Sequence, residues 1–273
     1  MRVLLFFFSG TGNTYYVSKM IQERFLKENY ECDLYAIEAL DDVNNMIIQA
    51  DLIGVGYPIY GSMMPENVEA FLKALKPIKK QAFVFCTQAM YSGDGANIAK
   101  KVLRTKGFDV RWCAHVNMPN NITDYKLLPT KEVKYEKLEK RVKKKLSRFV
   151  GAIIRNKRLR KGENVFSLGL GLVQRVPFRK VRDKFKEALK VSGACDLCKL
   201  CVRICPTQNF VIEDDKLTMK HTCYLCYRCI NHCPKHALHF SKSFVKRPYQ
   251  GPTKDFNIKD VMRHQLSENK GHK

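Results

Sequence analysis

The stretch FFFSGTGNTYY, residues 6–16, joins an apolar run to a loop of small residues. The run from Val3 to Phe8 is short, continuous and bounded by turn residues, which predicts a strand buried on both faces. Six small residues follow it, and a helical pattern then extends from Val17 to Leu26. Glycines, hydroxyls and a helix N-terminus together favour binding of an anion. The stretch therefore predicts a strand, an anion-binding loop and a helix.

The same alternation continues through the first part of the chain. Apolar runs at 34–37, 52–56, 82–87 and 110–116 alternate with helical patterns such as that at 65–75. Five strands that alternate with helices favour an α/β fold with a doubly wound, five-stranded parallel sheet. Ligands bind such a sheet beyond the carboxyl ends of its strands. The loop at 9–14 lies at that end.

The composition of this loop limits which anion it can bind. A P-loop would need a Gly-Lys-Ser/Thr sequence, and no lysine precedes Lys19. A dinucleotide fingerprint would need a third glycine where Tyr15 stands. A single phosphate held by hydroxyls and amides remains. The loop resembles the phosphate loop of the flavodoxin family, Ser/Thr-x-Thr-Gly-x-Thr, and this resemblance implies FMN as a cofactor.

The resemblance also implies which residues contact FMN. In flavodoxins two further loops enclose the isoalloxazine ring, and here the loops after the third and fourth strands have the expected positions. We expect Tyr60 or Tyr91 to lie against the ring, although a tyrosine in a loop is more often only a turn residue. The predicted FMN-binding residues are Ser9, Gly10, Thr11, Gly12, Asn13, Thr14, Pro58, Ile59, Tyr60, Gly61, Thr87, Gln88, Tyr91, Gly93 and Asp94.

Eight of the 11 cysteines form two runs with the pattern C-x2-C-x2-C-x3-C-P. Every cysteine of the first run, 195–206, has a counterpart 28 residues later in the second run, 223–234. Structural zinc would also accept four cysteines, but its sites usually combine two separated C-x2–4-C pairs. This spacing is instead the bacterial ferredoxin signature, in which the fourth cysteine of each run binds the other cluster.

That signature predicts two [4Fe-4S] clusters with crossed ligands. The first would be held by Cys195, Cys198, Cys201 and Cys233, and the second by Cys223, Cys226, Cys229 and Cys205. The segment 210–219 is predicted to form a hairpin between the runs. The chain as a whole resembles the flavodoxin-fused two-cluster ferredoxins, which implies a small α+β ferredoxin-like domain after the flavodoxin-like one.

Charge and cysteine content divide the chain into regions. Residues 126–190 contain 22 Lys and Arg against 6 Asp and Glu, within a chain of net charge +23. The expected organisation is an FMN-binding domain at 1–125, a basic helical connection at 126–190, a ferredoxin-like domain at 191–245 and a basic tail at 246–273.

Between Glu132 and Ile154 one helical face is apolar and the other is basic. The basic face is either a solvated surface, a docking face for an acidic redox partner, or a surface for nucleic acid or anionic membrane, which is less favoured. The apolar stretch 165–172 is expected to pack on either domain or to contact lipid. The sequence predicts no oligomeric state.

The sequence predicts an electron-transfer protein in the cytosol. Its N-terminal apolar run is too short for a signal peptide, and no apolar segment is long enough to span a membrane. Electrons are expected to pass between the clusters, FMN and redox partners. One alternative is an FMN oxidoreductase that reduces a small acceptor such as a quinone, with the clusters as electron input. Another is a basic nucleic-acid-binding protein with structural clusters.

Overall fold

The computed structural model describes residues 1–39, 42–124, 132–240 and 248–266. The strands are β1 (Arg2–Phe7), β2 (Glu31–Ala36), β3 (Leu52–Pro58), β4 (Gln81–Gln88), β5 (Asp109–Asn117), β6 (Leu159–Arg160), β7 (Lys190–Val191), β8 (Phe210–Glu213), β9 (Lys216–Met219) and β10 (Leu238–His239). The helices are α1 (Asn13–Lys27), α2 (Val43–Ile48), α3 (Glu66–Ala74), α4 (Gly95–Thr105), α5 (Tyr135–Ile154), α6 (Val165–Glu187), α7 (Leu200–Ile204), α8 (Arg228–His232) and α9 (Ile258–Leu266).

The main sheet has the strand order β2-β1-β3-β4-β5-β6, and all neighbouring strands in it are parallel. Its first five strands confirm the predicted five-stranded doubly wound sheet. The short sixth strand, β6, pairs with Trp112 and Cys113 of β5. It was not predicted because two residues carry no periodic signal.

Helices cover both faces of this sheet. Successive residues of β1 alternate between two cores: Leu5 packs on the side of α1, α5 and α9, whereas Phe6 packs on the side of α2, α3 and α4. Strand β1 therefore reads as a continuous apolar run because both of its faces are buried.

The predicted amphipathic helix in the basic region is confirmed as α5. Its apolar face, including Leu146 and Phe149, is buried in the core beside α1. The shift in charge near residue 126 therefore does not mark the end of the packed α/β layers. Helix α9 lies within the expected basic tail, and its Ile258 and Val261 are also buried in this core.

The cysteine-rich part repeats its backbone as well as its sequence. Leu197 and Leu225 both adopt positive φ values near 57°, and helices α7 and α8 start 28 residues apart. Strands β8 and β9 form the predicted hairpin, with Asp214 and Asp215 in its turn. Among the described helices, none is long and apolar enough to cross a membrane.

Candidate cofactor site

The carboxyl ends of β1, β3, β4 and β5 surround a cavity of about 290 Å³. Most of the predicted FMN residues line it, and they come from three separate loops that the parallel sheet brings together. These are Ser9, Gly10, Thr11, Asn13, Thr14, Pro58, Ile59, Tyr60, Gly61, Thr87 and Gln88. The segment 118–122, after β5, completes the wall and was not predicted.

The loop at 9–14 has free hydrogen-bonding capacity at the end of this cavity. The Ser9 hydroxyl is buried and finds no hydrogen-bond partner among the described residues. Gly12 precedes α1 with φ 92°, and no side chain caps the N-terminus of that helix. The Asn121 amide donates to the Thr11 hydroxyl oxygen at 2.9 Å, which leaves the Thr11 proton free to donate elsewhere. These features fit a phosphate group.

Four predicted FMN residues do not line the cavity. Gly12 packs against the ring of Phe256, where its positive φ and lack of a side chain permit the contact. Tyr91, Gly93 and Asp94 contact helix α6 instead. Apart from the turn that Gly12 makes before α1, a cofactor role for these four residues stays a prediction.

Helix α6 accounts for the position of the loop after β4. The Tyr91 hydroxyl and the Ser167 hydroxyl are 2.6 Å apart, and the backbone of Gly93 lies against that of Gly171. Arg175 forms an ion pair with the buried carboxylate of Asp94 at 2.9 Å. Small residues in the first half of α6 therefore allow the helix to lie directly on this loop.

The second half of α6 covers the cavity. Phe178 and Phe185 line the cavity wall, together with Leu225, Tyr227 and Phe240 of the cysteine-rich part. Phe178 and Phe185 are seven residues apart and so share one helical face, a pattern that the sequence contains but that has no motif to mark it. Tyr60 lies in the same wall, and its buried hydroxyl has no hydrogen-bond partner among the described residues.

The eight clustered cysteines separate into an outer and an inner group. The outer group is Cys195, Cys198, Cys201 and Cys233, which line one small cavity with Ile212 and Leu217 among the other wall residues. Burial raises the pKa of the Cys201 thiol to about 11, and the nearby thiols of the other three add to the effect. Cys233 thus lies with the first run, as the crossed pattern predicts.

The inner group is Cys205, Cys223, Cys226 and Cys229. Burial raises the pKa of the Cys223 thiol to about 12, with further contributions from Cys226 and Cys205. Burial also raises the pKa of Cys229, which is again affected by Cys205. Thiols must lose their protons to bind metal, so these raised pKa values mean that iron binding displaces bound protons.

The donor set and its spacing fit clusters better than a single ion. The outer cysteines surround a small cavity. In a [4Fe-4S] cluster each thiolate binds a different iron, so four cysteines arranged around a cavity fit the ligand geometry of such a cluster.

Arg228 joins the inner cysteine group to the phosphate loop. The side chain of Arg228 is only 2% exposed. It donates to the carbonyl oxygens of Ser9 at 2.7 Å and Gly10 at 3.2 Å, and it forms an ion pair with the nearly buried Glu38 at 3.1 Å. A side chain on Gly10 would collide with the carbonyl oxygen of Cys226. The loop and the inner group are therefore in direct contact.

Comparison with known families supports both halves of this arrangement. A flavodoxin-domain family model matches residues 4–160, and a 4Fe-4S dicluster-domain model matches residues 194–238. The chain belongs to the flavodoxin-domain family. With its second match it is a flavodoxin–ferredoxin fusion. An electron-transfer protein that carries flavin and iron–sulfur centres follows from these two domains.

Solved flavodoxin structures resemble the first part of this fusion. The flavodoxin of Streptococcus pneumoniae is 18% identical, covering 56% of this chain and 99% of its own, with a TM-score of 0.41. Flavodoxin 2 of Bacillus cereus is 20% identical, covering 57% and 99%, with a TM-score of 0.43. The Megasphaera elsdenii flavodoxin is 26% identical, covering 44% and 90%, with a TM-score of 0.39. No curated protein matches the fusion significantly.

Proposed function

We propose that the chain holds FMN and two [4Fe-4S] clusters in series, and that electrons pass between FMN and an external partner through both clusters. The contact between Cys226 and Gly10 carries this proposal, because it brings an inner cluster ligand directly against the FMN phosphate loop. The cytosolic compartment expected from the sequence forms part of the same proposal.

The two cysteine groups differ in exposure in the way that a series requires. Cys198 of the outer group is exposed, whereas Cys223, Cys226 and Cys229 of the inner group are buried. A partner could therefore approach a cluster held by the outer group closely, while the inner cysteines, which are buried beside the flavin-binding loop, would enclose the second cluster. The crossed ligands Cys205 and Cys233 make the two runs one folding unit.

The residues of the cavity would hold and shield the cofactor. Ser9 and Thr11 would donate to its phosphate, and the uncapped N-terminus of α1 would stabilise the charge. Phe178 and Phe185 would exclude water from the other end of the cavity. When bound, FMN accepts electrons as a pair and releases them singly, which lets clusters that carry one electron each serve a two-electron reaction.

Backbone donors to sulfur would adjust the cluster potentials. Asn209 N–H donates to Cys205 and Ala237 N–H donates to Cys233, both at 3.3 Å and at equivalent positions of the repeat. Leu225 N–H donates to Cys223 at 3.3 Å. Hydrogen bonds to the sulfurs are among the features that set cluster potentials.

The test compares flavin reduction with and without the outer cluster. Anaerobically prepared holoprotein and its Cys198→Ala variant are mixed with a reduced ferredoxin, and flavin absorbance is followed by stopped flow. The variant should retain its FMN but reduce it about tenfold more slowly or worse, because its first electron acceptor is damaged. Cys198 is exposed, so its replacement leaves no cavity in a packed core, and an unchanged FMN content would show that the flavin-binding part is intact.

Two results would count against the series arrangement. Flavin reduction at the wild-type rate in Cys198→Ala would show that the outer cluster is not on the route. Sustained turnover of a quinone by protein lacking both clusters would instead favour the oxidoreductase alternative, in which the cavity itself receives a small acceptor.

A further inference from the structure

The first half of α6 exposes an apolar strip to solvent. The strip consists of Val165, Phe166, Leu172, Val173 and Val176, which are 85%, 74%, 56%, 71% and 51% exposed respectively. Their spacing places them along one side of the helix. Single exposed apolar residues are ordinary, but five neighbours on one helix face form a surface that favours a contact.

The opposite face of the same helix packs against the rest of the protein. Ser167 and Gly171 are buried, Arg175 pairs with Asp94, and Phe178 lies against Gly61. The helix is therefore held in place by its own domain, and the apolar strip projects outward as a ridge. Pro177 follows the strip inside the continuous helix and removes one backbone hydrogen bond.

Exposed cations precede the strip directly. The basic loop consists of Arg155, Lys157, Arg158, Arg160 and Lys161, all exposed and all within ten residues of Val165. Among described residues only Arg160 of this loop has a carboxylate partner, Glu163. Burial lowers the pKa of Lys145 on α5, and the nearby charge of Lys161 lowers it further. Most of the positive charge of this loop therefore has no carboxylate partner within the part of the chain that the structure describes.

We propose that the apolar strip and the basic loop together bind an anionic phospholipid surface. The net charge of +23 opposes association of two copies through this surface. A protein partner would have to supply a groove for the ridge, because binding energy between proteins concentrates in filled pockets. A bilayer needs no groove: apolar side chains enter the headgroup region by roughly 5–10 Å, and nearby Lys and Arg attract anionic lipids.

The test is co-sedimentation of the complete holoprotein with vesicles. Vesicles of phosphatidylcholine alone are compared with vesicles containing about one third phosphatidylglycerol. Wild type should bind the anionic vesicles and not the neutral ones. The double variant Phe166→Ser/Val173→Ser should bind about tenfold more weakly or worse. The variant Arg158→Gln/Lys161→Gln should lack, at low salt, the part of the affinity that high salt removes from the wild type.

Matched control variants distinguish binding through this surface from non-specific binding to the vesicles. Ile48 is 59% exposed on another helix, and Lys76 and Lys79 are exposed beyond α3. Ile48→Ser and Lys76→Gln/Lys79→Gln should bind as wild type does. FMN and iron contents should be unchanged throughout, and Val165→Ser/Val176→Ser should reproduce the effect of the first strip variant.

Three outcomes would overturn the proposal. The first is no binding of wild type to anionic vesicles, including the case in which an acidic protein binds the strip instead. The second is equal binding by wild type and both strip variants. The third is equal loss of affinity in the control variants. None of these outcomes bears on electron transfer, which is measured separately.

Discussion

The two cysteine runs share one backbone but face different surroundings. The N–H groups of Asn209 and Ala237 bond to equivalent sulfurs in the two halves, so the loops that hold the clusters are nearly the same. The first run nevertheless leaves Cys198 exposed, whereas the cysteines at 223, 226 and 229 are buried. Cysteine spacing thus sets the loop geometry but not what lies beyond it.

The residues between the cysteines account for the difference. Leu200 of the first run corresponds to Arg228 of the second, which bonds to the flavin-binding loop. Arg203 is exposed, whereas its counterpart Asn231 accepts from the Tyr249 N–H at 2.7 Å and donates to the Asn121 carbonyl at 2.9 Å. Polar side chains at these positions attach one run to the flavodoxin part and leave the other free.

The largest expected effect comes from the crossed ligands. Cys205→Ser lies in the first run but should destroy the inner cluster, and Cys233→Ser lies in the second run but should destroy the outer one. Because the inner group contacts the phosphate loop, only Cys205→Ser should also weaken FMN retention. Electron paramagnetic resonance and flavin analysis of both variants would check this.

Assignment of each loss to the variant's own run would contradict the crossed arrangement. Equal FMN retention in the two variants would leave the crossing intact but would remove the asymmetry between the runs.

The next prediction removes the main contact that distinguishes the runs. Arg228→Leu gives the second run the residue of the first and leaves the Glu38 carboxylate buried without this cation, which should cost about 3–5 kcal/mol of unfolding free energy. FMN affinity should also fall, since Arg228 holds the carbonyl oxygens of Ser9 and Gly10. Chemical denaturation and flavin titration measure the two effects.

The matched control is Arg203→Leu, an exposed arginine of the first run. It should change stability by no more than about 0.5 kcal/mol and leave flavin affinity unchanged. Partial recovery of stability in Arg228→Leu/Glu38→Gln would identify the buried charge as the cause. Similar effects of Arg228→Leu and Arg203→Leu would show that the contact between Arg228 and the phosphate loop contributes little to stability or to flavin affinity.

Sequence patterns predicted the elements whose signals are local. The apolar run of β1, the phosphate loop and the 28-residue repeat each depend on neighbouring residues, and a doubly wound parallel sheet then follows from general rules for alternating strands and helices. The apolar face of α5 was also predictable because its period is regular. The charge of α5 led us to expect a connecting region rather than a helix of the α/β layers, because the exposed face of a packed helix can be as basic as a linker.

The junction, by which we mean the contact between the phosphate loop at 9–14 and the inner cysteine group with Arg228, could not be predicted, because it joins residues that are distant in the chain. Arg228 and Ser9 are 219 residues apart, and no periodicity relates them. The difference between Leu200 and Arg228 within an otherwise regular repeat was the available signal. Likewise, Tyr91 and Gly93 were expected at the flavin, but they contact Ser167 and Gly171 of α6, whereas Thr87 and Gln88 at the end of β4 line the cavity.

A smaller effect is expected within the phosphate loop itself. Thr11→Val should remove one hydrogen bond to phosphate and weaken FMN binding by about 1 kcal/mol, or about fivefold. Iron and sulfide contents should not change, because Thr11 lies on the flavin side of the junction. Thr105→Val, an exposed site on α4, is the control and should alter neither quantity. Unchanged FMN affinity in Thr11→Val would contradict the assignment of this hydroxyl to phosphate.

The smallest expected effect concerns how a partner reaches the exposed run. On α5, Lys143 pairs with Glu139, and burial lowers the pKa of the half-buried Lys145, so the variant is built on three exposed lysines of that helix, Lys137, Lys140 and Lys144. If they steer an acidic redox protein, changing all three to Gln should slow electron exchange about two- to fivefold at low salt. The difference should fade as the Debye length shortens from about 30 Å at 0.01 M to about 10 Å at 0.1 M, because exposed charges are then screened.

Changing Lys76, Lys79 and Lys101 to Gln removes the same charge elsewhere and should slow exchange less. Stopped-flow rates that match wild type at every ionic strength would assign the basic face of α5 to solvation alone, and approach to the exposed run would then depend on contacts near Cys198.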